Sequence, residues 1–139
     1  MFEALTSFLP ELQDGKFGEW IVDHENDGTP EHPIQLPFVA YNDLMMHFTE
    51  AVHRFTDQYK SMELNRYIAI LEQSNIRRDL ESMRTADVSV LDGRTIMAMI
   101  VGAIRAERFC DGALLELCKD GTLVKWLNRL QQIDDASEP

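Results

Sequence analysis

The stretch that most restricts this chain is IMAMIVGAI, from Ile96 to Ile104, which is apolar on every side when wound into a helix. Such a helix has no face to give to water and belongs in the middle of a core. It is far short of the roughly 20 apolar residues needed to cross a bilayer. The pattern predicts a buried helix from about 90 to 109, capped by Asp87 or Ser89. Gly102 inside it costs about 1 kcal/mol against alanine, a cost that close helix packing would offset.

The rest of the chain supplies cover for that helix. Phe2, Leu5, Phe8, Leu9 and Leu12 predict a short helix that Pro10 brings to an end near Leu9 or Leu12. Phe17–Val22 and Ile34–Val39 read as two antiparallel strands joined by the turn-rich 23–33 segment, with Pro37 marking an edge or a bulge. Asn42 is placed to cap a helix whose apolar stripe runs Leu44, Phe48, Ala51, Val52, Phe55, Tyr59. Leu64, Tyr67, Ile68 and Leu71 repeat the pattern on a second helix to about Glu72, and the polar segment 74–86 reads as a connection or a short strand. Leu114, Leu115, Leu117 and Cys118 form a short helix stopped by Gly121; Thr122 caps the last, whose inner face is Leu123, Trp126, Leu127 and Leu130. The expected fold is α+β and mostly helical, an N-terminal two-stranded antiparallel sheet packed on a helical bundle. It forms a single domain 1–139: a short helix and hairpin over 1–41, helices over 42–133, and a disordered acidic tail at 134–139.

With 24 acidic and 13 basic residues the net charge is −11, which argues against duplex nucleic acid or an anionic membrane as partner. The charge is unevenly spread. Residues 77–108 hold six arginines (Arg77, Arg78, Arg84, Arg94, Arg105, Arg108) against five acids, leaving 7 basic and 19 acidic residues for the rest. Arg105 and Arg108 are one helical turn apart and follow the apolar run directly. Two arginine forks there suit a phosphate; dipole complementation at a helix C-terminus places the same residue type in the same position. Phe109, where the helix breaks, offers a face for a base, whereas the spacing of Trp126 predicts core.

Other chemistry is sparse. His24, His32, His47 and His53 have no metal-ligand spacing, and no nucleophile-elbow, phosphate-loop or dinucleotide-glycine pattern occurs. No metal site, cofactor or catalytic residue is predicted. Cys110 and Cys118 form no CxxC pair and read as buried thiols of a reducing cytoplasm. The first residues lack the basic and apolar regions of a secretory signal.

Three parts of the chain carry a resemblance: FGEWIVDHENDGTPEHPIQLPFVAY (17–41), ADVSVLDGRTIMAMIVGAIRAERFCDGALLELCKDGTLVKWLNRL (86–130), and the helical stripe between them. They resemble a family of otherwise uncharacterised phage and prophage proteins that includes the anti-Thoeris signal-sequestering proteins. The resemblance implies a non-catalytic sponge. Such a protein binds cyclic ADP-ribose isomers made by a TIR-domain defence enzyme, in some members also cyclic oligonucleotides, and holds them unreacted in the cytoplasm of the infected host. It carries a site onto Asp92, Arg105, Arg108 and Phe109, and more weakly onto the 28–41 loop, where Thr29, Gln35 and Tyr41 offer polar and stacking contacts. It also implies a homo-oligomer, a dimer or a hexamer, and a buried helix shared with a partner subunit fits that.

Two other functions fit the same residues. An enzyme acting on a nucleotide-like substrate would use Asp92, Glu107 or Asp111 as base and would return altered ligand. An acidic protein-binding inhibitor of a host factor would bind a protein and no small molecule.

Overall fold

The apolar run forms α6 (Gly93–Ala106), and it is the axis of the computed structural model, which describes residues 1–15, 17–21, 28–31 and 38–137. Ile96, Met97, Ala98, Met99, Ile100 and Ala103 are fully buried. Their cover comes from the same chain: α4 (Tyr67–Gln73) lies along α6, and α7 (Ala113–Lys119), α8 (Thr122–Ser137) and a 3-10 turn at Leu64–Arg66 close round it. The helix therefore needs no partner subunit to bury it. A Cβ on Gly102 would stand 3.2 Å from the Tyr67 ring and 3.3 Å from the Met83 sulfur, so the glycine lets two neighbours approach closely, as expected.

Outside this axis lie α1 (Glu3–Thr6) and α2 (Leu9–Gln13), then β1 (Gly18–Ile21) paired antiparallel with β2 (Phe38–Tyr41), and α3 (Asp43–Gln58). The fold is mostly helical α+β with one two-stranded sheet among the described residues. The pairing runs from Gly18 opposite Tyr41 to Ile21 opposite Phe38, so the second strand continues to Tyr41, past the expected end at 39; residues 32–37 and 22–27, with the rest of the expected strand and its turn, fall outside the described ones. Asn42 caps α3 as its sequence predicts, accepting from the Met45 amide at 3.2 Å. Phe48, Ala51, Val52 and Phe55 form its buried stripe.

Several boundaries differ from expectation, each for a local reason. Pro10 does not end the first helix. It sits in the first turn of α2, where its missing N–H costs nothing. The 74–86 segment is neither strand nor plain connection, because it contains α5 (Leu80–Thr85), capped by Asp79 through the Ser82 amide at 2.7 Å. Asp87 caps only a 3-10 turn at Val88–Val90; the cap of α6 is Asp92, which accepts from the Thr95 amide at 2.9 Å. Thr122 lies inside α8, and its amide donates to Asp120 at 2.9 Å. The acidic tail is ordered helix to Ser137, and Asp134 accepts from the Phe2 amide at 2.8 Å and the Met1 ammonium at 3.2 Å. Among the described residues no helix is long and apolar enough to cross a membrane.

Candidate ligand-binding site

Helix α4 ends by a tight reversal that places two arginines. Asn75 adopts the left-handed conformation (φ 58°), and the Ile76 amide reaches back to the Leu71 carbonyl at 2.9 Å while the Asn75 amide takes Glu72 at 3.0 Å. These bonds satisfy helix-end carbonyls, and a buried apolar residue beyond the left-handed one commonly locks such an end. Ile76 fills that role. Arg77 and Arg78 follow, and Asp79 starts α5, its carboxyl held below the usual range by the Ser82 amide and hydroxyl. The two arginines are thus fixed between a buried anchor and a helix cap, with both side chains exposed.

Opposite them stands the C-terminal end of α6. Arg105 lies over the Tyr67 ring, its guanidinium carbon 5.3 Å from the centroid. Beyond Ala106 the chain turns, and Phe109 projects with 91 % of its surface exposed. Between the two walls runs an open groove of about 720 Å³, lined by Tyr67, Arg77, Arg78, Gly102, Arg105, Phe109 and Cys110, with the Asp79 carboxylate beside the arginines. None of the three arginines forms an ion pair among the described residues. Of the other arginines in the 77–108 cluster, Arg84 pairs with Glu81, Glu116 and Asp120, and Arg94 donates to the Met62 carbonyl at 2.8 Å. The cluster therefore divides into structural cations and cations open to a ligand. Arginine forks beside ring faces can hold a phosphate and stack a planar group at once.

The loop that carries Phe109 is built from inside. Gly112, in the left-handed region (φ 88°), opens α7 without a capping side chain. Glu107 substitutes for it, accepting from the Gly112 amide at 2.8 Å and the Leu114 amide at 3.0 Å. The Tyr41 hydroxyl donates to Glu107 and accepts from the Leu115 amide at 3.0 Å. Burial, reinforced by the Glu107 carboxylate, pushes the Tyr41 phenol well above its ordinary range. A Cβ on Gly112 would stand 2.5 Å from the Trp20 ring of β1, so a side chain here would have to displace that ring.

Over residues 1–136 the sequence matches DUF6508, a family of unknown function. The chain belongs to that family. Neither the curated proteins nor the solved structures give a match.

In this DUF6508 protein the residues singled out from sequence are only partly brought together. Arg105 and Phe109 share the groove. Arg108 does not share a face with Arg105: α6 ends between them, and Arg108 lines a neighbouring apolar depression of about 490 Å³ with Tyr41, Met45, Met46, His53 and Ile104. Asp92 lies at the far end of α6, roughly 20 Å away at 1.5 Å per residue, and its carboxylate is engaged as the cap. Tyr41 is committed to Glu107 and Leu115 rather than to stacking. Thr29 is exposed and does not line the groove, and Gln35 lies outside the described residues. Cys118 is buried and its thiol pushed up to about 12 by burial, with Asp120 and Glu107 adding to it; Cys110, expected to be buried, is exposed. Tyr67, Arg77 and Arg78 are the residues that the sequence site missed. The arginine pair was visible as part of the basic cluster, but its facing Arg105 depends on how α4 packs on α6.

Proposed function

We propose that this chain binds a phosphorylated nucleotide in the Arg77–Arg78–Arg105 groove and holds it without reaction, in keeping with a phage protein that sequesters cyclic nucleotide immune signals such as cyclic ADP-ribose isomers. The observation that carries the reading is the convergence of Arg77, Arg78 and Arg105, which form no ion pair among the described residues, with Tyr67 and Phe109. The forks match phosphate oxygens, the rings match a base, and the binding chemistry calls for no nucleophile or general base. The groove falls within the roughly 300–1,000 Å³ of small-molecule sites.

The test is titration calorimetry with a cyclic ADP-ribose isomer on wild type, Arg105→Ala, Arg77→Ala/Arg78→Ala and Arg108→Ala. A charge-assisted hydrogen bond to phosphate contributes roughly 1.5–3 kcal/mol, so Arg105→Ala should weaken binding about 10- to 150-fold. Arg105→Lys should restore only part, because lysine lacks the planar fork. Arg108→Ala should bind like wild type. Ligand recovered after heat denaturation should have an unchanged mass; a changed mass would favour an enzyme instead. Wild-type protein that takes up no such ligand, or Arg105→Ala that binds with undiminished affinity, defeats the proposal.

A further inference from the structure

The Arg77–Arg78 pair faces two depressions, not one. Besides the groove shared with Arg105, it lines a second of about 670 Å³, whose other walls are Ile68, Glu72, Asn75 and Ile76. The arginines form a ridge between the two. Their chemistry differs from side to side. The first groove offers the Phe109 ring, the Tyr67 ring beneath Arg105 and that third guanidinium, with the Asp79 carboxylate also in its lining. The second offers no aromatic ring and no further cation; it has the Glu72 carboxylate, the Asn75 amide and two isoleucine side chains.

A carboxylate repels phosphate but accepts hydrogen bonds from hydroxyls and amines, and an amide both donates and accepts. Each depression has one carboxylate, but only the first adds a third guanidinium, so phosphate is favoured on the ridge and its Arg105 side over the second depression. What suits the second depression is an uncharged group bearing hydroxyl or amine donors, such as a ribose with its base. From this juxtaposition we infer that the ligand class is a dinucleotide: two nucleosides joined through phosphate, one stacked between Tyr67 and Phe109, the phosphates across Arg77 and Arg78, and the other nucleoside against Glu72 and Asn75. This rests on the nucleotide-binding reading above and adds to it a second subsite.

Diadenosine diphosphate and ADP separate the two ideas. Both carry a diphosphate, but ADP lacks the second nucleoside and bears the greater negative charge, so charge alone would make ADP the tighter ligand on an arginine site. The expected result is the reverse: calorimetry on wild-type protein should give diadenosine diphosphate at least about tenfold the affinity of ADP, the equivalent of 1.4 kcal/mol. The variant Glu72→Ala/Asn75→Gly, in which glycine keeps the left-handed turn, should lose that preference while binding ADP as before. Its melting curve checks that the fold is kept, and the single variant Glu72→Gln repeats the test without touching the turn. Arg105→Ala should weaken both ligands. Equal affinity for the two ligands in wild type, with both weakened by Arg105→Ala, overturns the second subsite and leaves the first standing. A preference that survives in both Glu72 variants also overturns it. Failure of both ligands to bind at millimolar concentration removes the nucleotide reading, and the inference with it.

Discussion

Replacing Tyr41 by phenylalanine removes one oxygen and disturbs two groups. Glu107 loses the hydroxyl that donates to it, and the Leu115 amide loses its acceptor. Since Gly112 provides no capping side chain, the first turn of α7 is held by Glu107 and Tyr41 together, and half of that cap disappears. A hydrogen bond to a charged group contributes about 1.5–3 kcal/mol, and an orphaned buried donor costs about 1–3 kcal/mol. Tyr41 is only half-buried, so water recovers part of this, and the expected loss is about 2–3 kcal/mol. For 139 residues one kcal/mol moves Tm by roughly 3 °C, which places Tyr41→Phe roughly 6–9 °C below wild type at pH 7. The pH dependence carries a second signature. The folded-state phenol titrates above its ordinary value near 10. Its contribution is complete below pH 10 and is lost as pH rises beyond it, because the unfolded chain releases the proton first. The limit is about 1.4 kcal/mol per pH unit. The gap between wild type and Tyr41→Phe should therefore be constant from pH 7 to pH 9 and shrink above pH 10. Urea unfolding followed by circular dichroism at stepped pH measures both effects. A variant that melts within a degree of wild type, or a gap that widens in alkali, would refute the reasoning.

Thiol alkylation of the native protein should add one label, at Cys110, and a second only on unfolding, because Cys118 is buried with its thiol pushed up to about 12; intact mass counts the labels, and two rapid additions would contradict the burial. Gly112→Ala should cost about 2 kcal/mol or more, combining a left-handed alanine at roughly 1–2 kcal/mol with displacement of the Trp20 ring, which would otherwise lie 2.5 Å from the new Cβ; chemical denaturation tests it. Asp92→Ala should cost about 1 kcal/mol as a lost helix cap and leave nucleotide affinity unchanged, since the residue sits at the far end of α6; a calorimetric loss of binding without a stability change would return Asp92 to the site.

The sequence read well wherever a signal was local and repeated. The apolar run of α6, the stripe of α3 and the Asn42 cap all state their environment within a few residues. Signals were ambiguous where cap-type residues crowd together. Asp87, Ser89 and Asp92 fall within six positions, and only the backbone shows that the first serves a 3-10 turn and the last serves α6. The six residues of α5 are too few to display a helical period, and Met83 is their one buried side chain. Tyr41 and Glu107 are separated by 66 positions, so a polar aromatic that looked like a stacking surface could not be recognised as part of a helix cap. The arginines illustrate both cases: their clustering is a local fact, whereas which of them form ion pairs among the described residues, and that Arg105 and Arg108 part company at the helix end, are consequences of packing.

Arg77, Arg78 and Arg105, which form no ion pair among the described residues, sit on a chain whose net charge is −11, and this bears on how anions of different size would approach. At physiological ionic strength a charge is felt over about 8 Å. A compact anion placed in the groove would meet Arg77, Arg78 and Arg105 against Asp79, a local excess of positive charge on an acidic chain. A long polyanion could not confine itself to so small a patch, and its further phosphates would face a chain of net negative charge. If the groove takes a small phosphate ester as proposed, the acidic body would act as a size filter, disfavouring polymeric nucleic acid as a competitor.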